Sequence, residues 1–273
     1  MKTIPWLRRP LAILAGALLL AAACPLLAAP PDLPWHLIAR YPHSTSAFTE
    51  GLAICDGDLV ESMGLYGESR IQIRTLHTNR VLETRSLPAS IFAEGVSCAA
   101  DRIVQLTWHA GIIFTYDHHL DPLGEYRYPY DGWGLAWDGH QLIASDGTDT
   151  LHLLDPETLA VVGAVKVHDG DRPVTQINEL EWARGALWAN IWHSDRIARI
   201  DLRTGQVTGW LDMAKLVAQA KADPAWQPSS ENVLNGIAWD PDSGHFFVTG
   251  KRWPLMFEIA LGPAASTAGD AQR

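Results

Sequence analysis

The residues of most chemical interest are two glutamates, two asparagines and a lysine that occupy matching places in a repeated pattern. Glu50, Glu94, Asn178 and Asn235 each stand directly before a recurring segment, and Lys251 stands near the end of the last one. A carboxylate can carry a proton, while amide and ammonium groups can stabilise an oxyanion. Buried charges are costly unless they are paired, so this combination at equivalent positions predicts a catalytic or binding site.

These residues are positioned by a unit that recurs five times along the chain. Each unit reads as strand, tight turn and strand, with turn residues such as Asp56-Gly57 and Asp138-Gly139. A second hairpin follows each of the first four units. The five units start at residues 51, 95, 134, 179 and 236. Four strands in a period of about 40–45 residues are typical of a propeller blade, so the sequence predicts an all-β, five-bladed β-propeller.

The two ends of the chain are predicted to close the ring. The fifth unit has only three strands, and the segment from Trp35 to Tyr41 has the length and alternation of the missing fourth. Such a closure would remove the open sheet edge. The long gap before the fifth unit predicts a short capped amphipathic helix over residues 212–222, followed by a loop over residues 223–232. We therefore expect one propeller domain over residues 33–261 and a flexible tail over residues 262–273.

The repeat also predicts which side chains meet at the axis, because the first strand of each blade lines the central channel. Glu50, Glu94, Trp133, Asn178 and Asn235 precede the units, and thirteen residues later (fifteen in the last unit) stand Gly64, Trp108, Gly147, Trp192 and Lys251. Phe48 and Phe92 lie two residues before their glutamates. For Trp133 and Trp192, packing between blades is an equally good interpretation of the sequence. Four other tryptophans lie inside strands and are expected to pack there: Trp137, Trp182, Trp188 and Trp239.

The N-terminus predicts export. Lys2, Arg8 and Arg9 precede an apolar run from Leu11 to Ala23, which is too short for a spanning helix and is typical of a signal peptide over residues 1–23. Cleavage is expected near residues 23/24, or as late as residue 29. Ala-Ala-Cys24 also resembles a lipobox, in which Cys24 would be acylated and anchor the protein. The expected location is therefore periplasmic or secreted.

Composition and charge restrict the partners. Of the 273 residues, 47% are hydrophobic and 12 are tryptophan, which is enough for a large core and favours a small-molecule or peptide pocket. A net charge of −10 without a basic run argues against nucleic acid and favours a monomer. No CxxC or HExxH motif is present, so we expect no metal site or cofactor. Cys55 and Cys98 could form a disulfide in an oxidising compartment.

The chain resembles the plant-type glutaminyl-peptide cyclotransferases over essentially the whole length that follows the predicted signal peptide. Ten motifs in the same order carry the resemblance: Phe48–Gly51, Glu61–Gly67, Phe92–Gly95, Leu106–Trp108, Gly132–Leu135, Ser145–Gly147, Asn178–Glu181, Ala189–Trp192, Leu234–Ala238 and Thr249–Pro254. The resemblance implies a metal-independent five-bladed propeller that converts the N-terminal glutamine of peptides into pyroglutamate and releases ammonia.

The resemblance also implies roles for particular residues. Glu94 corresponds to the catalytic glutamate, Asn178 to the catalytic amide and Lys251 to the catalytic lysine. The aromatic walls of the substrate pocket correspond to Phe48, Phe92, Trp108, Trp133 and Trp192. Glu50 stands where the family more often has glutamine, and it could bind the substrate's ammonium group or compete with Glu94 for the proton. Asn235, predicted from the repeat, completes the expected substrate-binding set.

The expected chemistry is an intramolecular acyl transfer. Glu94 would take a proton from the α-amine and return it to the leaving nitrogen, and Asn178 and Lys251 would stabilise the oxyanion. A metal-dependent propeller hydrolase such as a lactonase is an alternative, with Glu50, Glu94, Asn178 and Asn235 as ligands, but the ammonium of Lys251 argues against it. A non-catalytic envelope propeller that serves as a binding scaffold is a further alternative.

Overall fold

The computed structural model describes residues 29–262. The predicted signal peptide, Cys24 and residues 263–273 of the predicted tail lie outside these residues. The first nine strands in chain order are β1 (Trp35–Pro42), β2 (Thr49–Cys55), β3 (Asp58–Met63), β4 (Arg70–Thr75), β5 (Val81–Ser86), β6 (Phe92–Ala99), β7 (Arg102–Trp108), β8 (Ile112–Tyr116) and β9 (Pro122–Arg127).

The remaining elements include one helix within the described residues. They are β10 (Leu135–Trp137), β11 (Leu142–Ser145), β12 (Thr150–Leu154), β13 (Val161–Lys166), β14 (His168–Asp169), β15 (Arg172–Pro173), β16 (Ile177–Ala183), β17 (Ala186–Ile191), β18 (Arg196–Asp201), β19 (Gln206–Asp212), α1 (Ala214–Ala222), β20 (Leu234–Asp240), β21 (His245–Gly250) and β22 (Leu255–Leu261).

These strands form five sheets, which confirms the predicted five-bladed propeller. The first three blades contain β2 to β5, β6 to β9 and β10 to β13 in sequence order. The fourth contains β16 to β19, and the fifth contains β20 to β22. Strand β1 completes the fifth blade by pairing antiparallel with β22, with Trp35 opposite Leu261 and Pro42 opposite Leu255. The predicted closure by an N-terminal strand is therefore confirmed.

The innermost strands β2, β6, β10, β16 and β20 pack around the axis, and glycines at equivalent positions allow their close approach. A Cβ atom on Gly95 would lie 2.5 Å from the carbonyl oxygen of Trp133 in the next blade. The same crowding by a neighbouring backbone occurs at Gly51 and Gly134. Any larger residue there would push the blades apart.

Apolar side chains fill the space between neighbouring blades. Five hydrophobic clusters occupy the five blade interfaces, and Trp188, Phe246 and Trp253 are among their largest fully buried members. All four tryptophans that were expected to pack inside strands belong to these clusters or contact them: Trp137, Trp182, Trp188 and Trp239. A disulfide between Cys55 of β2 and Cys98 of β6, whose Cα atoms are 6.0 Å apart, links the first two blades.

The segment between the fourth and fifth blades contains the predicted helix. It begins at Ala214, whose backbone N–H donates to the Asp212 carboxylate at 2.9 Å. Leu216, Val217 and Ala220 are buried in the cluster between these two blades. No helix within residues 29–262 has the length and hydrophobicity needed to span a bilayer.

A short hairpin of β14 and β15 extends the fourth blade to six strands, which the sequence did not predict. Strand β14 lies parallel to β19, with His168 opposite Gln206. Its turn contains Gly170 at φ +60°. The hairpin was missed because each of its strands has only two residues, too few to show alternation.

Candidate active site

Four of the five innermost strands lose their regular register where they face the axis. Strands β2, β6, β16 and β20 each carry a bulge at this point. The interrupted positions contain Glu50, Glu94, Asn178 and Asn235. A β-bulge bends the strand and re-aims a side chain, so the bulges turn these polar groups towards the channel.

A second backbone feature recurs at the end of the second strand of the blades and positions the residues there. Four non-glycine residues there have left-handed backbones, with φ from 51° to 93°: Leu65, His109, His193 and Arg252. Each follows directly after an axial residue that the repeat predicted: Gly64, Trp108, Trp192 or Lys251. In the third blade the axial residue Gly147 itself has φ +78°. Left-handed non-glycine residues are uncommon and cluster at functional sites.

The axial residues enclose one cavity of about 390 Å³ at one end of the channel. Its lining residues are Phe48, Glu50, Leu65, Phe92, Glu94, Trp108, Trp133, Asn178, Trp192, Glu231 and Lys251. Every predicted site residue except Asn235 is in this set. The cavity is within the size range of small-molecule sites, about 300–1,000 Å³.

Aromatic rings form the walls of this cavity. The ring of Phe92 meets Phe48 edge-on at 6.3 Å and Trp108 at 5.5 Å between centroids. On the other side Trp133 and Trp192 meet edge-on at 5.6 Å. The two tryptophans that could have packed between blades therefore face the cavity. Such walls exclude water and hold a flexible side chain in few conformations.

A buried ion pair lies at the floor of the cavity. The Lys251 ammonium is 2.7 Å and 2.6 Å from the two oxygens of Glu50, and both side chains are at least 93% buried. The ammonium also lies 4.7 Å from the centroid of the Phe48 ring. In the metal-dependent alternative Glu50 would be a ligand, but an ammonium contacts both of its oxygens.

Glu94 is buried beside this pair. Burial raises the pKa of the Glu94 carboxyl well above its ordinary value, and the Glu50 carboxylate raises it further, while Lys251 opposes the rise. Burial also raises the pKa of Glu50, but Lys251 favours its ionised form. The two acids therefore differ: Glu50 is paired with the Lys251 ammonium, and the pKa of Glu94 is raised by its burial and by the neighbouring Glu50 carboxylate.

The side-chain amide of Asn178 lines the same cavity. It is 3% exposed, and its Oδ1 accepts no hydrogen bond within the described part of the chain. A buried polar atom without a partner is unusual in folded proteins. The Asn178 Oδ1 is therefore an acceptor that the fold leaves without a partner, beside the cavity that the residue lines.

Asn235, which was predicted as a substrate-binding residue, is not among the residues that line the cavity. It is fully buried, and its Nδ2 donates to the backbone oxygen of Thr49 at 3.0 Å and to Glu50 Oε2 at 3.3 Å. Asn235 lies behind Glu50 and orients its carboxylate. The repeat identified the strand position of Asn235, but it could not show whether the side chain faces the cavity or the residues beneath it.

Two cavity residues were not predicted, Leu65 and Glu231. Leu65 follows Gly64 within the motif Glu61–Gly67, so its place beside an axial position was the only signal. Glu231 belongs to the loop that follows helix α1. This insertion has no counterpart in the other blades, so no comparison between repeats could have identified it.

Further along the channel, Glu179 occupies the position that is glycine in the other innermost strands. Its Oε2 accepts a hydrogen bond from the backbone N–H of Ile237 at 2.8 Å, and its Oε1 accepts one from Leu52 at 3.2 Å. Burial raises its pKa well above the ordinary value, and the nearby Glu181 adds to the rise. Glu179 therefore joins three blades across the axis and has a structural role.

Comparisons with known proteins agree with one another. A family model described as glutamine cyclotransferase matches residues 11–261. A glutaminyl-peptide cyclotransferase from Arabidopsis thaliana is 39% identical over 237 residues, which span 86% of this chain and 73% of the relative. The crystal structure of glutaminyl cyclase from Myxococcus xanthus is similar with a TM-score of 0.79 and 39% identity, covering 85% of this chain and 98% of that one.

Proposed function

The chain belongs to the glutamine cyclotransferase family, and from this premise we propose how the axial cavity converts the N-terminal glutamine of peptides into pyroglutamate and ammonia. The observation that carries the proposal is a buried acid, Glu94, beside the ion pair of Glu50 and Lys251 in an aromatic cavity, where burial raises the pKa of Glu94 well above its ordinary value. The alternatives of a metal-dependent hydrolase and a non-catalytic scaffold are not favoured by the comparisons.

Proton transfer is assigned to Glu94. The neutral α-amine, whose ordinary pKa is about 7.7–8.0, attacks the side-chain carbonyl carbon of the same residue. A C–N bond forms, and the carbonyl electron pair moves to oxygen. Glu94 then gives its proton to the leaving nitrogen and takes one from the ring nitrogen, so that it is protonated again at the end. The old C–N bond breaks, ammonia leaves and the oxyanion collapses to the lactam carbonyl.

The oxyanion is stabilised by Lys251 and Asn178. The Lys251 ammonium has three N–H donors, and its contact with Glu50 leaves donor capacity on the cavity side. The Asn178 side chain lines the cavity, and its Nδ2 is the group that donates to the oxyanion, because its Oδ1 can only accept. Donors fixed in a water-poor site stabilise developing charge at little cost of reorganisation.

The aromatic walls hold the substrate in its reactive conformation. An open glutamine side chain must fold back onto its own amine, and the space between Phe92, Trp108, Trp133 and Trp192 restricts it to compact conformations. Bringing the reacting atoms together in this way is a major part of catalysis for intramolecular reactions.

The proposal is tested by ammonia release from Gln-Gln or glutamine tert-butyl ester, with the wild-type protein and with Glu94→Gln. We expect the variant to lose at least about a hundredfold in kcat, since a general acid–base contributes about 10²–10⁴. Glu83→Gln, at an exposed acid of β5, is the matched control and should keep full activity. We expect EDTA to have no effect, because the proposed chemistry uses no metal. Release of no ammonia by the wild type would refute the assignment.

We also propose that the protein is exported to the periplasm or secreted, as a monomer. The charged and apolar pattern of residues 1–23 supports export, and the disulfide between Cys55 and Cys98 supports an oxidising compartment. Mass spectrometry of the protein purified from its host would give the mature N-terminus. A mass that includes an acyl group on Cys24 would establish the lipid anchor, and an unprocessed N-terminus in the cytoplasm would refute export.

A further inference from the structure

The loop that follows helix α1 brings an additional acid to the cavity. Glu231 lies in this loop and lines the cavity together with Glu50 and Lys251. The loop is attached to the turn that carries Lys251, because the backbone N–H of Lys251 donates to the oxygen of Val233 at 3.0 Å. The Trp253 indole N–H also donates to the oxygen of Asn232 at 3.1 Å. These bonds hold Glu231 in place beside the catalytic floor.

The charge of Glu231 is not balanced by a neighbouring cation. No Lys, Arg or His nitrogen within residues 29–262 lies within 4.0 Å of its carboxylate, and its one side-chain partner there is the Ser230 hydroxyl at 3.4 Å. In contrast, Glu50 is paired with Lys251, and Glu94 is buried beside that pair. Glu231 is therefore the partly exposed acid of the cavity lining, and its carboxylate has no cationic partner within residues 29–262.

The degree of exposure of the three cavity acids indicates where Glu231 lies relative to a bound peptide. Glu50 is 2% exposed and Glu94 is 6% exposed, whereas Glu231 is partly exposed and lies nearer the mouth. The α-amine of the substrate must reach Glu94, so the terminal glutamine occupies the floor and its carbonyl group leads outwards. The residue that follows the glutamine is the first to lie outside the floor, in the part of the cavity whose partly exposed lining includes Glu231.

We propose that Glu231 forms the subsite for the residue that follows the cyclised glutamine, and that it selects lysine or arginine there and disfavours aspartate or glutamate. This inference rests on the proposed function. The guanidinium of Arg252, the residue after Lys251, lies over the Phe48 ring at 5.1 Å from its centroid and is not within 4.0 Å of the Glu231 carboxylate. A basic side chain in the second position would supply the partner that the fold does not provide for Glu231.

The test compares three peptides that differ only in the second residue, Gln-Arg, Gln-Ala and Gln-Glu, each extended by the same neutral sequence. We expect the wild type to prefer the Arg peptide over the Glu peptide in kcat/KM. Glu231→Gln should reduce this ratio by about three- to tenfold, as expected for one partly screened charge pair. Glu231→Lys should invert the preference, and added salt should weaken the wild-type preference.

The matched control is Glu157→Gln, which removes an exposed acid from the turn between β12 and β13. It should leave the ratio unchanged. Wild-type activity on all three peptides with a ratio that neither Glu231 variant alters would overturn this inference and leave the proposed function intact. Absence of ammonia release from every peptide with the wild type would instead overturn the proposed function, and this inference with it.

Discussion

At the scale of single residues, Glu50 and Glu94 show how position gives two identical side chains different electrostatic surroundings. Both are buried, but the Lys251 ammonium contacts only Glu50. Burial and the neighbouring charge therefore raise the pKa of Glu94, which suits an acid that gives a proton to a leaving nitrogen. Glu50 acts as the counter-charge that holds the Lys251 ammonium in place.

Replacing Glu50 tests this division between the two acids. In Glu50→Gln the negative charge that raises the pKa of Glu94 is gone, and Lys251 then lowers it. Glu94 should lose its proton at lower pH, so the alkaline limb of the pH profile of kcat should move to lower pH. A profile that coincides with that of the wild type and of the Glu83→Gln control would contradict the assignment of the acid.

The sequence was sufficient to predict most cavity residues because the repeat relates each blade to the next. It could not predict on which side of the floor Asn235 lies, since a bulge sets the direction of that side chain and periodicity does not reveal it. Glu231 was missed because its loop occurs in one blade only. The protonation of Glu94 depends on distances between blades that a linear sequence does not contain.

At the scale of elements, the site depends on irregular backbone at repeated places. Bulges turn the start of four innermost strands, and left-handed residues turn the end of four second strands. Alternation predicted the strands themselves but not these interruptions, because each involves one or two residues. Regular strands would direct the same side chains into the sheets instead of the cavity.

Gly64 illustrates how one element makes room for a neighbour. A Cβ atom at Gly64 would overlap the ring of Phe92 from the next blade. In Gly64→Ala the ring should be displaced into the cavity, which raises KM at least about fivefold and destabilises the fold by about 1–3 kcal/mol. Steady-state kinetics and urea unfolding measure the two effects.

The control is Gly163→Ala, at a glycine of β13 where a Cβ would make an ordinary contact with Leu153 at 3.4 Å. It should leave KM unchanged. Equal kinetics for the two alanine variants would show that Phe92 is not positioned through Gly64.

A buried polar network joins the start of the first blade to the turn that follows Lys251. His43 contacts Glu61 at 2.9 Å through one ring nitrogen and the Trp253 carbonyl at 2.7 Å through the other. Thr49 donates to the same Glu61 oxygen at 2.7 Å, and the Nε of Arg74 lies 3.3 Å from the second oxygen. This network attaches two distant segments of the chain beside the cavity.

The network should make stability depend on pH in acid. Burial alone would raise the pKa of Glu61, but His43, Arg74 and Thr49 lower it to about 2 from an ordinary value of 4.5. The folded state therefore gains stability that is complete above about pH 4.5 and is lost as pH falls towards 2, on the order of 3 kcal/mol. Urea unfolding at several pH values measures it, and Glu61→Gln should flatten the curve between these pH values. The same curve in the variant and the wild type would contradict this role.

At the scale of the whole molecule, the blades are joined by packing, by strand β1 and by one disulfide within the described residues. The overall architecture was predictable because five repeats and a missing strand leave few ways to close a ring. Cys55 and Cys98 are separated by 43 residues, so their disulfide restricts a long loop of the unfolded chain.

Replacing both cysteines by alanine should lower the free energy of unfolding by about 2–4 kcal/mol. Catalysis at 25 °C should persist, because Cys55 lies at the end of β2 that is opposite Glu50. Urea unfolding followed by tryptophan fluorescence, together with ammonia release, measures both. Reduced activity in a variant that is fully folded would show that the disulfide also shapes the cavity.

The pairing of β1 with β22 determines when the active site can form during synthesis of the chain. Glu50 belongs to the first blade and Lys251 to the last, so their ion pair bridges the place where the ring closes. Strand β1 is synthesised first but can pair only after β22, which is almost the last segment to be made. Chains generally acquire structure from the N-terminus during synthesis, and long-range pairing is slow. The ion pair between Glu50 and Lys251 therefore forms last. A nascent or truncated polypeptide that has folded its first blades remains inactive until β1 pairs with β22.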